Sequence, residues 1–564
     1  MRLFTKDPGR PSKNPSASGW LDENPLKYHK HSEKLPPYSD IVIIGSGFSG
    51  ASTAYHLLVD ERTRLDSQPS SAGEKQQPVK SVTMLEAREA CGGATGRNGG
   101  HLIPANYRDF IDDSKATKDP EAVAATRIFE QLGAEEVARF IRENNVDCEF
   151  RFEGNLELYT TQADFDYALE NVKVAKSWGL GGQRIFSRSE LVDMFGNETT
   201  AVGGIMIPGG QVFPARFIWF LLYKAMSCGL QLYTHYPVVK VTQASPLEKS
   251  ESLRHLRSIG AQAPSSTDVL WKVETENGES IITHKVVHGT NAYASHLLPS
   301  FRSHIFPVRA QVLSLAENVT SHKLWPFGLS LRHGAEYAIQ RNFPHGRLIL
   351  GGRRSSSPSL EVDTADDSVV NNNVACGLRT TVSYPEFSYL GNRPESYYNS
   401  REWTGIMGYS DDLHPFIGPV VQSNSEIVPG QYILAGFTGH GMPKCFRCGR
   451  EIARLISSSY KSSSTSSQPN SADRAPIVTT KDILSLSSSL NPNPENVVPD
   501  SKWVWNLNDY SIPSSSGEQL ANSSLLIDFP LVRTMVVTPE RIRTIKTDSW
   551  HYRNLIPSSP YAKL

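Results

Sequence analysis

The chain has no run of about 18 consecutive apolar residues, the length a membrane-spanning helix requires. The longest candidate, Phe217 to Tyr223, is cut by Lys224 and reads as a buried helix. The opening Met1-Arg2-Leu3-Phe4-Thr5-Lys6-Asp7-Pro8-Gly9 lacks the apolar stretch of a signal peptide, so the chain reads as soluble and non-secreted. Cysteine is scarce. Cys91, Cys148, Cys228, Cys376, Cys445 and Cys448 are too few in 564 residues for a disulfide scaffold and read as mostly reduced thiols of an intracellular protein. Neither sign of charge dominates: Lys plus Arg is 57, Asp plus Glu is 58, and the net charge is −1. That balance excludes nucleic acid or anionic lipid as a partner held by bulk charge. Gly at 41 and Pro at 36 are near average usage, which excludes collagen-like and wholly disordered chains.

What is present supports a large core, with 39% hydrophobic residues in a length that suggests two or three structural units. Residues 1–39 form a polar, Pro-rich leader without sustained periodicity, expected to wrap the surface. The first core element is the apolar run Ile41-Val42-Ile43-Ile44, as in a strand covered on both faces. A helix is expected over Ala51 to Val59, a polar insertion over Asp60 to Gln77, and a second strand over Val82 to Glu86. Helical spacing recurs at Glu121 to Asn145, Ala163 to Trp178 and Phe213 to Cys228. Strand character is expected at Phe150 to Thr160, Gln231 to Val241, two further strands ending at His288, several short runs from Phe306 to Leu350, and Tyr432 to Ala435. Residues 457–500 form a Ser-rich low-complexity insertion, and 501–564 a C-terminal extension.

Between the first strand and the first helix stands Gly45-x-Gly47-x-x-Gly50, the correct context for a dinucleotide fingerprint. Gly45 makes the tight turn, Gly47 lets the backbone approach a pyrophosphate, and Gly50 lets helix and strand pack closely. Phosphates would meet the unpaired N–H groups of the helix start. Glu86, ending the next strand, would accept hydrogen bonds from the ribose hydroxyls. It lies 36 residues past Gly50, and the polar insertion accounts for the excess over the usual spacing of ~20.

A second glycine-dense loop follows at once: Cys91-Gly92-Gly93-Ala94-Thr95-Gly96-Arg97-Asn98-Gly99-Gly100-His101. A nicotinamide dinucleotide rarely needs such a loop, whereas a flavin ring lies against closely approaching backbone. Here the sequence resembles the D-amino-acid oxidase-like family of FAD-dependent oxidoreductases, which includes sarcosine, glycine and γ-glutamylputrescine oxidases. Its run from Glu86 to Gly100 departs from the family pattern only in Cys91, at the first glycine. The resemblance continues through Gly210-Gln211-Val212-Phe213-Pro214, His288-Gly289-Thr290-Asn291-Ala292-Tyr293, and Gly436-Phe437-Thr438-Gly439-His440-Gly441-Met442, spanning about residues 40 to 456.

The resemblance implies an α/β fold (α+β overall), with a Rossmann-type FAD-binding domain interleaved with an antiparallel-sheet substrate domain. FAD-binding parts would fall near 40–105, 214–300 and 405–456, and substrate parts near 106–213 and 301–404. FAD would contact Gly45, Ser46, Gly47, Gly50, Glu86, Ala87, Gly93, Ala94, Thr95, Gly96, Asn98, Gly99, Val239, Thr290, Asn291, Gly405, Gly439, His440, Gly441 and Met442. The segment Glu402 to Gly408 has no cysteine, so non-covalent FAD is expected.

No second strand–GxGxxG–helix unit is present for NAD(P)H, so the substrate itself would supply the electrons. The expected reaction oxidises the C–N bond of an amine or amino acid by hydride transfer to flavin N5, with molecular oxygen as acceptor and hydrogen peroxide as product. A dehydrogenase using another acceptor and a non-catalytic flavin protein remain alternatives. His101, His440 and Lys444 are the catalytic candidates, although Pro443 takes the place where relatives carry an oxygen-activating lysine. Arg309, Arg341, Arg353 and Arg354 are candidates to grip a substrate carboxylate, with Arg341 favoured because it shares a strand face with Tyr337 and Ile339. Cys445 and Cys448 form a lone CxxC expected to pack rather than bind metal. Ala562-Lys563-Leu564 resembles the Ser-Lys-Leu peroxisomal address, so an import receptor is an expected partner and the peroxisome the expected location, with the cytoplasm as alternative.

Overall fold

The computed structural model describes residues 6–60, 80–258, 268–315, 325–342, 346–390, 400–462, 535 and 537. Ile41 to Ile44 are buried on both faces, and the strand they belong to, Tyr38–Ile44, sits centrally in the first sheet. It pairs in parallel with Val82–Leu85 on one side and Ser280–His288 on the other. Leu230–Tyr233 extends the parallel array beyond Val82–Leu85, and Ile427–Ala435 extends it beyond Ser280–His288. Phe416–Val421 closes that edge in antiparallel fashion. The carboxyl end of the glycine-motif strand therefore opens mid-sheet, where open α/β sheets bind ligands.

Three helices, Phe48–Tyr55, Pro214–Ser227 and Cys445–Ser462, pack with this sheet. Phe48 meets Phe217 edge-on at 5.3 Å between ring centroids, and Phe140 meets Phe446 at 5.0 Å. Phe140 belongs to the helix Pro120–Glu143, which starts where the Asp119 side chain accepts a hydrogen bond from the Ala122 amide at 2.9 Å. The second sheet runs in the order Arg401–Ser410, Ile305–Leu315, Leu348–Gly352, Glu336–Gln340, Gly328–Leu331, Asn155–Tyr159, Gly203–Ile207, Arg184–Ser187. Its pairs are antiparallel except Gly328–Leu331 with Asn155–Tyr159. The mixed α/β architecture expected from the sequence is the one observed.

Some boundaries differ for local reasons. Gln231 to Val241 is two strands, because His235 takes φ +60° and Pro237 follows. Leu230–Tyr233 stays in the parallel array, while Val238–Gln243 pairs antiparallel with Trp271–Thr275. Phe150 to Thr160 yields only Asn155–Tyr159, buried at every position because strands flank both its edges. The first helix widens into a π-turn at His56–Asp60.

The leader does more than wrap. Trp20, Leu21 and Leu26 are buried in the main core, and Trp20 lies against Phe213 and Trp403. At the other end, Val537 donates its amide to the Ile417 carbonyl at 2.9 Å. Most of the Asp60 to Gln77 insertion, the Ser-rich stretch beyond Ser462, and the C-terminal extension apart from Met535 and Val537 lie outside the described residues, as does Ala562-Lys563-Leu564. No helix among the described residues is long and apolar enough to cross a membrane.

Candidate active site

A cavity of about 470 Å³ opens at the carboxyl ends of the first sheet and runs between the two sheets. Gly45, Gly47, Glu86, Ala87, Gly93, Ala94, Thr95, Asn98, Gly99, Thr290, Asn291, Gly405, Gly439, His440, Gly441 and Met442 all line it, and so does His101. Five separate stretches of the sequence thus converge on one space.

Ser46, Gly50 and Gly96 stand behind the wall and do not line it. Ser46 donates from its amide at 2.9 Å and its hydroxyl at 2.7 Å to Glu86 Oε2, while the Arg88 amide donates to Oε1 at 3.0 Å. These donors fix the carboxylate in place at the end of its strand. A Cβ on Gly50 would lie 2.0 Å from the Gly45 carbonyl oxygen, so this glycine serves helix–strand contact. A Cβ on Gly96 would lie 2.4 Å from the Cys91 carbonyl oxygen and 2.8 Å from Leu21. Val239 is also displaced: it is 36% exposed, and its neighbour Val238 lines the cavity, because adjacent strand residues face opposite ways. Gly45 takes φ +101°, as the tight turn requires, and Cys91 takes φ +65° at the position where the resemblance expects glycine.

The walls suit FAD on their own geometry. A Cβ on Gly93 would meet nothing within 4 Å, so no protein contact accounts for glycine there. At Gly47 a Cβ would meet only Thr95 Oγ1, at 3.2 Å, and Thr95 Oγ1 also accepts from the Phe48 amide at 3.1 Å. Thr290 Oγ1 is a buried polar atom with no hydrogen-bond partner among the described residues. Glu86 would hold the ribose, the helix start after Gly47 the diphosphate, and the loops around Gly99 and Gly439 the ring system.

His101 offers more than shape. Burial pulls its imidazole down to about 4, so it is neutral near pH 7. Its Nδ1 stands 3.0 Å from the Gly99 carbonyl oxygen, which can only accept, so Nδ1 carries the proton. The Ala338 carbonyl faces the ring as well, so two backbone oxygens hold the imidazole in place. Tyr337 packs edge-on to this ring at 5.0 Å, with its phenol pushed up to about 12 by burial.

The arginine candidates separate by partner. Arg309 donates to Glu361 at 2.5 Å, Arg353 to Glu336 at 3.1 Å, and Arg341 to Glu149 at 3.1 Å. Arg341 has the predicted face at the wrong height. Four residues beyond Tyr337 is about 13 Å along a strand, and there it lies over the Trp20 and Phe213 rings, lining a different cavity. Arg354 lines the FAD cavity, donates to the Tyr409 hydroxyl at 3.1 Å, and has no carboxylate partner among the described residues.

Lys444 does not reach the cavity. It is 2% exposed, and its Nζ lies 2.7 Å from Glu130 Oε1, because it projects from the helix start toward the helix Pro120–Glu143. Glu130 Oε2 accepts the Ala105 amide at 2.7 Å and lies 3.7 Å from His440 Nδ1. Burial alone would raise the Glu130 carboxyl, but the Lys444 ammonium, with His440 and Arg127, draws it down to about 2. The signal was present in the sequence: Glu130 is seven residues from both Val123 and Val137, on the apolar stripe.

Lys444→Met should cost about 3–5 kcal/mol in denaturant unfolding, since it leaves a buried carboxylate unpaired. The Glu130 pKa lies below its unfolded value, so the pair stabilises fully above about pH 4.5 and loses that contribution as pH falls toward 2. The difference between wild type and variant should narrow over that window. A loss under about 1 kcal/mol at neutral pH would show the pair to be dispensable.

Cys445 and Cys448 are both buried, and Cys445 touches the cavity wall with its thiol pushed up to about 12 by burial. Among the described residues no group of three or more His, Cys, Asp or Glu is arranged to hold a metal.

Known proteins resemble this chain over most of its length. Residues 40–455 match the DAO family, described as FAD dependent oxidoreductase. The probable oxidoreductase OrdL of Rhizobium meliloti (strain 1021) is 24% identical over 426 residues, covering 74% of this chain and 82% of that protein. Gamma-glutamylputrescine oxidoreductase of Escherichia coli (strain K12) is 29% identical over 113 residues, 20% of this chain and 22% of that protein. Among solved structures, glycine oxidase from Geobacillus kaustophilus superposes with a TM-score of 0.52 at 18% identity, over 75% of this chain and 95% of that one. L-proline dehydrogenase from P. horikoshii gives 0.52 at 20% identity, over 75% and 95%. With the family match spanning most of its length and a cavity built to its cofactor, the chain belongs to the DAO family of FAD-dependent oxidoreductases.

Proposed function

We propose that the chain oxidises the C–N bond of a carboxylate-bearing amine, an amino acid or an N-substituted one, with molecular oxygen as electron acceptor. The observation that carries this reading is a guanidinium on the cavity wall, Arg354 beside Tyr337 and Tyr409, with no carboxylate partner among the described residues. Bound FAD would supply the two-electron acceptor for the hydride of the carbon beside nitrogen, leaving an imine that water would hydrolyse. Arg354 holds the substrate carboxylate and so sets the orientation of the carbon next to it. The substrate reacts with its nitrogen deprotonated, so that the lone pair can expel the hydride, and the neutral His101 ring lines the cavity beside Tyr337. Glycine oxidase and L-proline dehydrogenase, both similar in fold, bear names that differ in electron acceptor. The acceptor is therefore tested directly.

Anaerobic mixing of the holoenzyme with a panel of amino acids and amines should bleach the yellow colour with carboxylate-bearing members, and admitted oxygen should restore it with one peroxide per substrate. Bleaching without peroxide would replace oxygen with a quinone or protein acceptor. No bleaching with any member would leave a flavin-binding protein without turnover.

Non-covalent attachment carries its own expected result. Acid precipitation should leave the colour in the supernatant. Colour in the pellet would identify a covalent link, and Cys445, at the cavity wall, would be its first candidate.

The same reading favours the peroxisome, where released peroxide does least damage to surrounding thiols. Ala562-Lys563-Leu564 is proposed as the address read by the import receptor. An N-terminal fluorescent tag should give puncta that become diffuse on Lys563→Glu. Diffuse signal from the unaltered chain would place it in the cytoplasm.

A further inference from the structure

We propose that the leader, outside the family match, supplies a strap over the adenosine end of the FAD site, and that FAD leaves only when residues 7–13 of the strap detach. Gly9, Arg10 and Pro11 line the same cavity as Glu86 and Val238, although nothing before residue 40 belongs to the family's shared core. The strap is fastened to both walls of that cavity. On one side, Asp7 Oδ1 lies 2.9 Å from His296 Nδ1, and Oδ2 lies 2.8 Å from Arg302 Nη2. His296 follows the cavity-lining pair Thr290 and Asn291 by a few residues.

On the other side, Arg10 Nη1 and Lys13 Nζ lie 3.0 and 3.2 Å from Glu276 Oε1. The Glu276 amide donates to the Pro237 carbonyl at 2.9 Å, which ties this anchor to the Pro237–Val238 wall. Between the anchors the Gly9 amide donates to Asp7 Oδ1 at 2.8 Å, with Gly9 at φ +70°, so the chain turns tightly across the opening. Arg88, two residues after Glu86, donates to the Ser12 carbonyl at 3.3 Å. The end covered is thus the one where Glu86 would hold the ribose.

The two halves of the leader are held differently, and the difference makes the strap a releasable one. From Ser16 onward the attachments are buried or partly buried: Ser18 Oγ donates to the Gly96 carbonyl at 2.7 Å, and Trp20 Nε1 to the Asn98 carbonyl at 2.7 Å. Trp20 is 1% exposed. Before Ser16 the fastening is mainly ionic and solvent-facing, with Ser12 held besides by its carbonyl to Arg88 and its hydroxyl to Asp366, and exposed ion pairs are individually weak and screened by salt. Residues 7–13 can lift while Ser16 to Trp20 stay seated as the hinge.

The test uses the full-length holoenzyme and a double variant, Asp7→Asn with Arg10→Ala. Release is followed as the rise in free-FAD fluorescence after dilution. The variant should release FAD at least about tenfold faster, corresponding to the loss of about 1.4 kcal/mol of closure. Raised salt should speed release from wild type and leave the variant nearly unchanged. The backbone amides of Gly9, Arg10, Ser12, Lys13 and Asn14 in the wild-type protein should exchange with solvent more slowly with FAD bound than after its removal. Equal release rates for wild type and variant would overturn the strap. Equal exchange of those amides with and without FAD would overturn it too, and this second measurement decides the matter should the variant's apoprotein melt lower than wild type.

Discussion

Gly47→Val is expected to yield a folded, colourless protein. Gly47 has φ −66° and ψ −176°, a backbone conformation open to any residue, so the substitution is not strained in itself. Its Cβ would stand 3.2 Å from Thr95 Oγ1, and the added methyls would branch into the space where the diphosphate must approach the helix start. Overpacking of this kind costs about 1–3 kcal/mol, and the lost backbone approach adds to it, so FAD affinity should fall about 100-fold or more. The measurement is flavin absorbance per chain after desalting, beside far-ultraviolet circular dichroism for the fold. Full yellow colour would mean that the diphosphate lies elsewhere. The neighbouring glycines are poorer probes. A side chain at Gly50 would strike the Gly45 carbonyl, and Gly45 needs its positive φ, so either change would disturb the fold itself.

Arg354→Met should lower kcat/KM for carboxylate-bearing substrates by about 10²–10³-fold, the cost of leaving one partner of a buried charge pair alone. An amine of similar shape without the carboxylate should lose less than about threefold, because it never used the guanidinium. Arg353, next in the chain, cannot substitute, since Glu336 already holds it at 3.1 Å. Equal losses for both substrates would reduce Arg354 to a support for the Tyr409 hydroxyl. Arg341→Met provides the contrast. It should lower stability, through Glu149 and the stacked Trp20 and Phe213, with KM unchanged.

The cofactor site is largely legible in the residues because its demands are local. A strand end, a tight turn and a helix start within a few residues need glycine at set spacings, whatever the rest of the chain does. That is why Gly45, Gly47, Glu86 and the loops around Gly93 and Gly439 stand out in the sequence alone, and why they converge on one cavity. Even the departure at Cys91 is a local matter, a left-handed backbone position borne by a cysteine in place of glycine.

The substrate side obeys no such local rule. Four arginines have the same chemistry in the sequence, and only tertiary packing shows that Glu361, Glu149 and Glu336 claim three of them. Lys444 sits two residues past a flavin loop in sequence, yet its side chain is spent on Glu130, more than three hundred residues away. The leader shows no periodicity because its partners, Gly96, Asn98, Glu276 and His296, belong to distant segments and impose no repeat on it. By itself the sequence determined where backbone must bend and approach a cofactor, since those constraints act within a few residues. Tertiary structure decided which charges are neutralised and which face the cavity, because a charge's partner is chosen by proximity in space.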